Sequence, residues 1–340
     1  MPSSNLTLPY LVLLILAAML ASCARTPQLT VLEGRTMGTS YSIKALDVAD
    51  EEALHAKVEA RLVEVNDLMS TYIKDSEISR LNRLAVGETM QLSHENQLML
   101  TLAERLMTES GGKFDVTLGP LIALWGFGAD PSRAEVPAEA EISAALAQMG
   151  LDALERRGAE VRKTAPVAVD FSAIAKGFGV DELARLVEQA GSNDYLVEIG
   201  GELRAAGVNQ NGQIWRIGIE TPESGIRVPY TAVPLKDLAM ATSGDYRNYF
   251  EVDGQRFSHT LDPATGYPIT HNLASVTVLA ETSAEADGYA TAINVMGPIT
   301  GMRLANELGL PILVILKVAD GFETQTSQAF DSYLEGIAGQ

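Results

Sequence analysis

Cysteine is nearly absent from these 340 residues: there is one, Cys23. A lone thiol excludes an internal disulfide framework and a thiolate metal cage. Positive charge is also short, with Lys+Arg 25 against Asp+Glu 44 and a net charge of −19. A field of that sign opposes nucleic acid and anionic lipid headgroups. A phosphate-bearing ligand would need local help from a metal, a lysine or backbone N–H groups. No apolar run reaches the roughly 20 residues that a membrane-spanning helix needs. Neither a Gly-x-Gly-x-x-Gly element nor a P-loop follows a predicted strand, so a dinucleotide here is not held in the Rossmann manner. Internal repeats and low-complexity tracts are missing as well. What remains, 46% hydrophobic and 6% aromatic, is an ordinary globular composition long enough for one large domain or two modest ones.

The first residues read as an export signal. Leu11 to Leu20 is almost purely apolar, of the length of a signal-peptide core. Leu20-Ala21-Ser22-Cys23 resembles the lipobox of bacterial lipoproteins, in which cleavage precedes the cysteine and the cysteine is lipidated. One departure is that no Lys or Arg precedes the apolar run. A plain secretory signal with an incidental cysteine is the alternative. The expected organisation is a signal peptide over 1–22, a tether over 23–30 and one domain over 31–340. A lipidated Cys23 leaves the mature chain without a thiol, and so without a cysteine nucleophile.

Along the domain, Val31 to Leu46 has strand character on both sides of Met37-Gly38-Thr39. Asp50 caps a helix to about Met69, whose Leu54, Val58, Leu62, Val65 and Met69 share one face. Ser76 to Leu84 reads as a short helix. Ser93 opens another, with Leu98, Leu102 and Leu106 predicted on one face and Gly111-Gly112 ending it. Residues 129–138 read as a loop and Glu139 to Met149 as a helix. Val167 to Phe171 predicts a short buried strand, followed by a helix from about Ala173 to Ala190. Strands are expected over Tyr195–Ile199, Ile214–Glu220, Tyr230–Leu235, Ala274–Ala280 and Pro311–Val318. Tyr246–Val252 and Gln255–Leu261 flank Asp253-Gly254, a two-residue hairpin signal. Thr282-x-x-Glu285 is a capping box opening a helix to about Met296. Irregular alternation with tightly joined neighbouring strands predicts α+β with antiparallel sheets.

Several polar positions interrupt these apolar patterns. Asp287 and Thr291 are four apart, so on a helix they point the same way and can present oxygen to a hard cation. The plain alternative is a solvated face near a helix start, where an Asp suits the dipole. Asp170 ends the predicted strand, and Lys176-Gly177 falls in the first turns of the next helix. A lysine at that end of the dipole makes sense beside a bound anion, and equally as a surface side chain. His259, on a predicted strand, can take a proton from a hydroxyl nucleophile or be structural. Asp262-Pro263-Ala264-Thr265-Gly266 reads as a turn. Gly200-Gly201 permits either a close approach or a bulge.

Taken in order, these segments resemble the ApbE family of FAD:protein FMN transferases, from about Arg35 to Met296. The most specific parts are Met37-Gly38-Thr39, Phe114-Asp115-Val116-Thr117 with Trp125-Gly126-Phe127, and Asp170 with Lys176-Gly177. To these add Ile199-Gly200-Gly201-Glu202, Ser243-Gly244-Asp245-Tyr246-Arg247-Asn248, His259 with Asp262-Pro263 and Thr265-Gly266, and Glu285-Ala286-Asp287 with Ala290-Thr291. The resemblance implies an α+β, T-fold-like architecture. It implies flavin contacts at Met37 and Tyr72, and further FAD contacts at Lys113, Phe114, Asp115, Asp170, Lys176 and Leu261. Magnesium would be held by the Ala173 carbonyl, Asp287 and Thr291; some relatives have a further Asp where this chain has Ala290. Lys113 matches a position that varies among relatives.

The implied chemistry is displacement at phosphorus. A Thr or Ser hydroxyl of an acceptor protein attacks FAD, AMP leaves, and His259 is the expected base. The implied acceptors resemble flavin-carrying subunits of membrane redox complexes, which predicts a lipid-anchored enzyme on the periplasmic face of the inner membrane. Two rivals use the same site: hydrolysis of FAD to FMN and AMP, and a non-catalytic flavin-binding lipoprotein.

Overall fold

The computed structural model describes residues 27–128, 135–223, 228–244 and 249–339. The signal peptide, Cys23, part of the loop over 129–138, and the Asp245 to Asn248 end of one motif lie outside them.

In chain order the elements are β1 (Leu29–Thr36), β2 (Thr39–Leu46), α1 (Glu51–Met69), α2 (Glu77–Arg83), β3 (Thr89–Gln91) and α3 (His94–Glu109). Then come α4 (Gly119–Leu124), α5 (Glu139–Leu146), β4 (Leu154–Arg157), β5 (Glu160–Lys163), α6 (Ala175–Gln189), β6 (Tyr195–Ile199) and β7 (Glu202–Ala206). They are followed by β8 (Trp215–Glu220), β9 (Pro229–Leu235), β10 (Leu238–Gly244), β11 (Tyr249–Val252) and β12 (Gln255–Ser258). Last are β13 (Leu273–Ala280), α7 (Ser283–Leu308), β14 (Ile312–Val318), β15 (Gly321–Thr326) and α8 (Gln328–Ala338). The strand β1 starts at Leu29, so the end of the expected tether is already sheet.

Eight strands form the main sheet in the order β1-β2-β6-β7-β10-β13-β14-β15, every neighbouring pair antiparallel. The α+β expectation holds. The sheet is covered on both faces. Val276, Val278, Ile312 and Val314 join the cluster that contains Ile293 of α7. Leu279, Leu313 and Ile315 join Ile217, Leu235 and Phe330 on the other side. Burial of both faces is why β13 is buried without alternation from Leu273 to Leu279 and β14 opens with five apolar residues in a row.

Local chemistry sets several of the expected boundaries. Asp50 accepts the Ala53 N–H at 2.9 Å, and Leu54, Val58, Leu62, Val65 and Met69 are the buried face of α1. Asp253 and Gly254 both have positive φ, 51° and 77°, as a type I′ hairpin between β11 and β12 requires. The capping box at α7 is half made. Thr282 Oγ1 accepts the Glu285 N–H at 3.3 Å, but the Glu285 carboxylate pairs with Arg105 of α3.

Other expectations need correction. Of the expected face, Leu106 is buried and Leu102 partly buried, but Leu98 is 46% exposed, and α3 also buries Asn96, Met99, Leu100 and Ala103. Asn96 turns the face, because its amide reaches Leu68 O at 3.1 Å and Glu77 Oε1 at 2.9 Å. Val167 to Phe171 is buried and extended but is not a strand. Its hydrogen bonds run to one side chain and one loop carbonyl: Val169 N–H to Asn82 Oδ1 at 2.7 Å, Asn82 Nδ2 to Val169 O at 2.8 Å, and Asp170 N–H to Val116 O at 2.7 Å. The helix α7 continues past Met296 through a kink at Gly297-Pro298, where Gly297 has φ 77°.

Candidate active site

The site is built where α6 meets α7. At Gly177 an added Cβ would lie 2.3 Å from Ser283 O and 2.7 Å from Ala284 Cα. Only glycine allows this approach, and the approach lets the Gly177 N–H reach Asp287 Oδ2 at 3.2 Å. Lys176 beside it donates from Nζ to Asp287 Oδ2 at 3.4 Å and to Glu202 Oε1 at 3.1 Å. Gly177→Ala is expected to cost about 1–3 kcal/mol through overpacking and to lower activity as the helices part. Heat or denaturant unfolding beside an activity assay checks it, and a variant with wild-type stability would contradict the tight contact.

Two buried carboxylates thus share one ammonium. Burial alone would pull the Lys176 ammonium down, but the charges of Asp287 and Glu202 outweigh it and hold it above its ordinary value. Burial pushes the Asp287 carboxyl up, with Lys176 opposing and Glu202 adding to the rise. Burial likewise raises Glu202, against the pull of Lys176. The second oxygen of Glu202, Oε2, is buried without a hydrogen-bond partner.

These groups line a cavity of about 570 Å³, within the ordinary size range of small-molecule sites. The structure brings Lys113, Phe114, Asp115, Asp170, Ala173, Lys176, His259, Leu261, Asp287 and Thr291 together in its wall, although they span most of the chain. Their local settings differ. Lys113 Nζ makes a bidentate contact with Asp262, at 2.9 and 2.8 Å, which joins two distant motifs. Asp115 Oδ1 accepts the backbone N–H and the hydroxyl of Thr117, at 2.7 and 2.6 Å. Asp170 accepts the Thr71 hydroxyl at 3.2 Å and both the N–H and the hydroxyl of Ser172. Phe114 is buried in the main core as well as in the cavity wall.

His259 lies one residue past β12, in a bend rather than on the expected strand. Its ring meets Phe127 edge-on at 6.3 Å. Phe127 belongs to an aromatic group with Trp125, Phe250 and Phe257, and Trp125 Nε1 donates to Gly266 O at 2.8 Å. The Trp-Gly-Phe and Thr-Gly motifs therefore fix the loop that carries His259.

Met37 and Tyr72 are not part of the cavity wall among the described residues. Met37 (φ 49°) and Gly38 (φ 73°) are the two central residues of the turn between β1 and β2. Met37 packs on both major core clusters. Tyr72 is 66% exposed, next to the Thr71 that bonds Asp170. Glu202, which in the sequence is only the last residue of Ile199-Gly200-Gly201-Glu202, is a further residue of the site. The available signal was a charged residue directly after an apolar strand and two glycines, which here have φ 63° and 111°.

The helix N-terminus expected to bind an anion is partly satisfied by protein. The Ala175 N–H bonds Phe171 O at 2.8 Å, and the Gly177 N–H bonds Asp287. The wall is also acidic: Asp115, Asp170, Glu198, Glu202, Glu220 and Asp287 outnumber Lys113 and Lys176. A phosphate ligand entering it needs a cation. Asp287, the Thr291 hydroxyl and Ala173 supply hard oxygen. No group of three or more His, Cys, Asp or Glu that could cage a metal exists among the described residues. This donor set fits Mg²⁺, which takes one or two protein carboxylates and completes its shell from water and phosphate.

The family model described as the ApbE family matches residues 37–314. A protein of Vibrio cholerae named FAD:protein FMN transferase is 43% identical over 329 residues, 96% of this chain and 98% of the relative. Among solved structures, the flavin transferase ApbE of Vibrio cholerae superposes with a TM-score of 0.84 at 42% identity, covering 90% of this chain and 99% of that one. The apo form of the Pseudomonas stutzeri flavinyl transferase ApbE gives 0.83 at 39%, covering 90% and 96%.

Proposed function

The chain belongs to the ApbE family and is a flavin transferase, and from that premise we propose that it uses Mg²⁺ to move the FMN half of FAD onto a Thr or Ser hydroxyl of an acceptor protein. The new bond is a phosphoester and AMP is released. The observation that carries this reading is the buried Asp287–Lys176–Glu202 cluster, with Thr291 on the same helix as Asp287, in the wall of a cavity of about 570 Å³.

Asp287, Thr291 and the Ala173 carbonyl would hold the metal. Bound there, Mg²⁺ would neutralise charge on the pyrophosphate, an assistance worth several kcal/mol. Lys176 stays protonated between its two carboxylates and adds a fixed positive charge that needs no reorganisation during the reaction. His259 is the group in the wall suited to take the hydroxyl proton as the oxygen attacks phosphorus. The apolar wall from Leu203, Ile217, Ile219 and Met240 would shield part of the ligand from water.

Incubation with FAD and Mg²⁺, with and without an acceptor peptide, tests the reading. AMP released only with acceptor, together with in-gel flavin fluorescence of that acceptor, is the expected result. AMP without acceptor would mean hydrolysis, and no AMP would mean storage.

We further propose that Cys23 is lipidated and holds the enzyme on the periplasmic face of the inner membrane, near flavin-carrying subunits of redox complexes. Among the described residues no helix is long and apolar enough to cross a membrane. Wild-type protein is expected in the detergent phase of a detergent partition. Cys23→Ser is expected to give uncleaved precursor or aqueous, unlipidated protein. Wild type in the aqueous phase would count against the anchor.

A further inference from the structure

Lys176, Glu202 and Asp287 meet in the cavity but come from three elements, α6, β7 and α7. A second polar node, outside the cavity wall, ties the same three elements together. The Asp181 carboxylate on α6 accepts the Ser283 N–H on Oδ1 at 2.9 Å and the Ala284 N–H on Oδ2 at 3.0 Å. These are the first two residues of α7. Arg204 of β7 donates from Nη1 to Asp181 Oδ1 at 3.1 Å.

Sequence spacing links this node to the site. Gly177 and Asp181 are one turn apart on α6, so the residue that permits the helix contact and the residue that caps the neighbour share a face. Glu202 and Arg204 are two apart on β7 and leave the same face of the sheet. Ser283 and Asp287 are one turn apart on α7. The carbonyl of the α7 N-cap, Thr282, takes the Ala286 N–H, and its side chain accepts only the Glu285 N–H. The two preceding donors need partners, and a negative charge suits them. Because their cap sits on another helix, it fixes α7 along its axis against α6. A slip of one residue, ~1.5 Å, would break the Gly177 contact and carry Asp287 away from Lys176.

We propose that Asp181 is a positioning residue: by capping α7 from α6 and holding Arg204 of β7, it sets the register that presents Asp287 to the metal. The proposal rests on the reading of Asp287 as a metal ligand. It predicts a defect in metal affinity rather than in the chemistry.

The test compares wild type, Asp181→Asn, Asp287→Ala and Ser327→Ala, each as the mature chain. Ser327 caps α8, remote from the site, and its loss supplies a purely structural control. Binding of Mn²⁺ in the presence of ADP, followed by electron paramagnetic resonance, gives a readout independent of turnover. Asp181→Asn is expected to weaken Mn²⁺ binding about 10-fold or more, as loss of a group supporting a metal ligand does. The Mg²⁺ needed for half-maximal transfer should rise in step, with kcat recovering at saturating Mg²⁺. Ser327→Ala should lose thermal stability and keep wild-type Mn²⁺ affinity. Mn²⁺ binding within twofold of wild type in Asp181→Asn would overturn the proposal, as would a loss of kcat that Mg²⁺ does not restore. Normal Mn²⁺ binding by Asp287→Ala would remove the ligand reading itself, and this proposal with it. Should Asp181→Asn not fold, Arg204→Met carries the same expectation at smaller amplitude, and wild-type Mn²⁺ affinity in that variant overturns it.

Discussion

Asp287→Ala is expected to lower FMN transfer on the order of 10³-fold, the kinetic equivalent of about 4 kcal/mol, which is the scale of lost metal assistance. Asp287 is the one carboxylate in the proposed ligand set, and its burial leaves water little room to replace it. Thr291→Val should do less, since a neutral hydroxyl can be replaced by water. Stability separates this reading from a plain salt bridge. The folded protein raises the Asp287 carboxyl above its ordinary value, so its ionised form costs stability at any pH above the unfolded pKa. Asp287→Asn leaves Lys176 paired with Glu202 and removes the excess buried negative charge. The metal-free Asn variant is therefore expected to melt no lower than wild type, while losing Mg²⁺-dependent activity. A group that sacrifices stability for ligand binding behaves this way. If Asp287 served mainly to neutralise Lys176, the Asn variant would melt clearly lower and would keep its Mg²⁺ response. Near-normal turnover of Asp287→Ala at ordinary Mg²⁺ would remove it from the site altogether.

Much of the fold was legible because local chemistry and tertiary packing agree. In α1 the capping Asp50 and the periodic face from Leu54 to Met69 point to one helix, and that helix is present. At Asp253-Gly254 the residues that tolerate positive φ sit between two strands, and they make the turn. Legibility failed where distant groups decided the outcome. Val167 to Phe171 has a strand's composition, yet its hydrogen bonds go to the side chain of Asn82 and the carbonyl of Val116, partners that no local pattern announces. The face of α3 is rotated by Asn96, whose buried amide nitrogen donates to Leu68 O and Glu77 Oε1. The strand β15 is half-buried at best along its length, so it carries no apolar signal.

The same contrast holds in the site. Asp287 and Thr291 share a helix face, and that face lines the cavity. Glu202 and Asp181 act across elements: their importance appears only once α6, β7 and α7 are packed together. Met37 was readable as a marked position but not as to its cause. It is a non-glycine residue in the left-handed region of a two-residue turn, where side chains other than Asn or Asp are uncommon.

His259→Asn is expected to slow transfer 10²- to 10⁴-fold, the ordinary cost of losing a general base, with FAD affinity changed far less. The separation is possible because the polar groups proposed to hold FAD, among them Asp115, Asp170 and Lys176, keep their own partners when the imidazole goes. Wild type is expected to lose rate at low pH, as general-base catalysis requires, and the variant to lose that dependence. The competing account is structural. His259 abuts Phe127 at the edge of the aromatic group around Trp125, so it could serve to seat the loop that also carries Leu261 and Asp262. Loss of that packing would lower thermal stability and FAD affinity together, and the residual activity would keep the wild-type pH profile. Single-turnover kinetics at saturating FAD decide between them. A base mutant binds FAD and stalls before AMP is released, whereas a packing mutant fails to fill and turns over normally once filled. Asn retains a polar side chain of similar reach, so an unchanged pH profile with weakened FAD affinity and normal turnover once filled would assign His259 to the fold and leave proton removal to another group in the cavity wall.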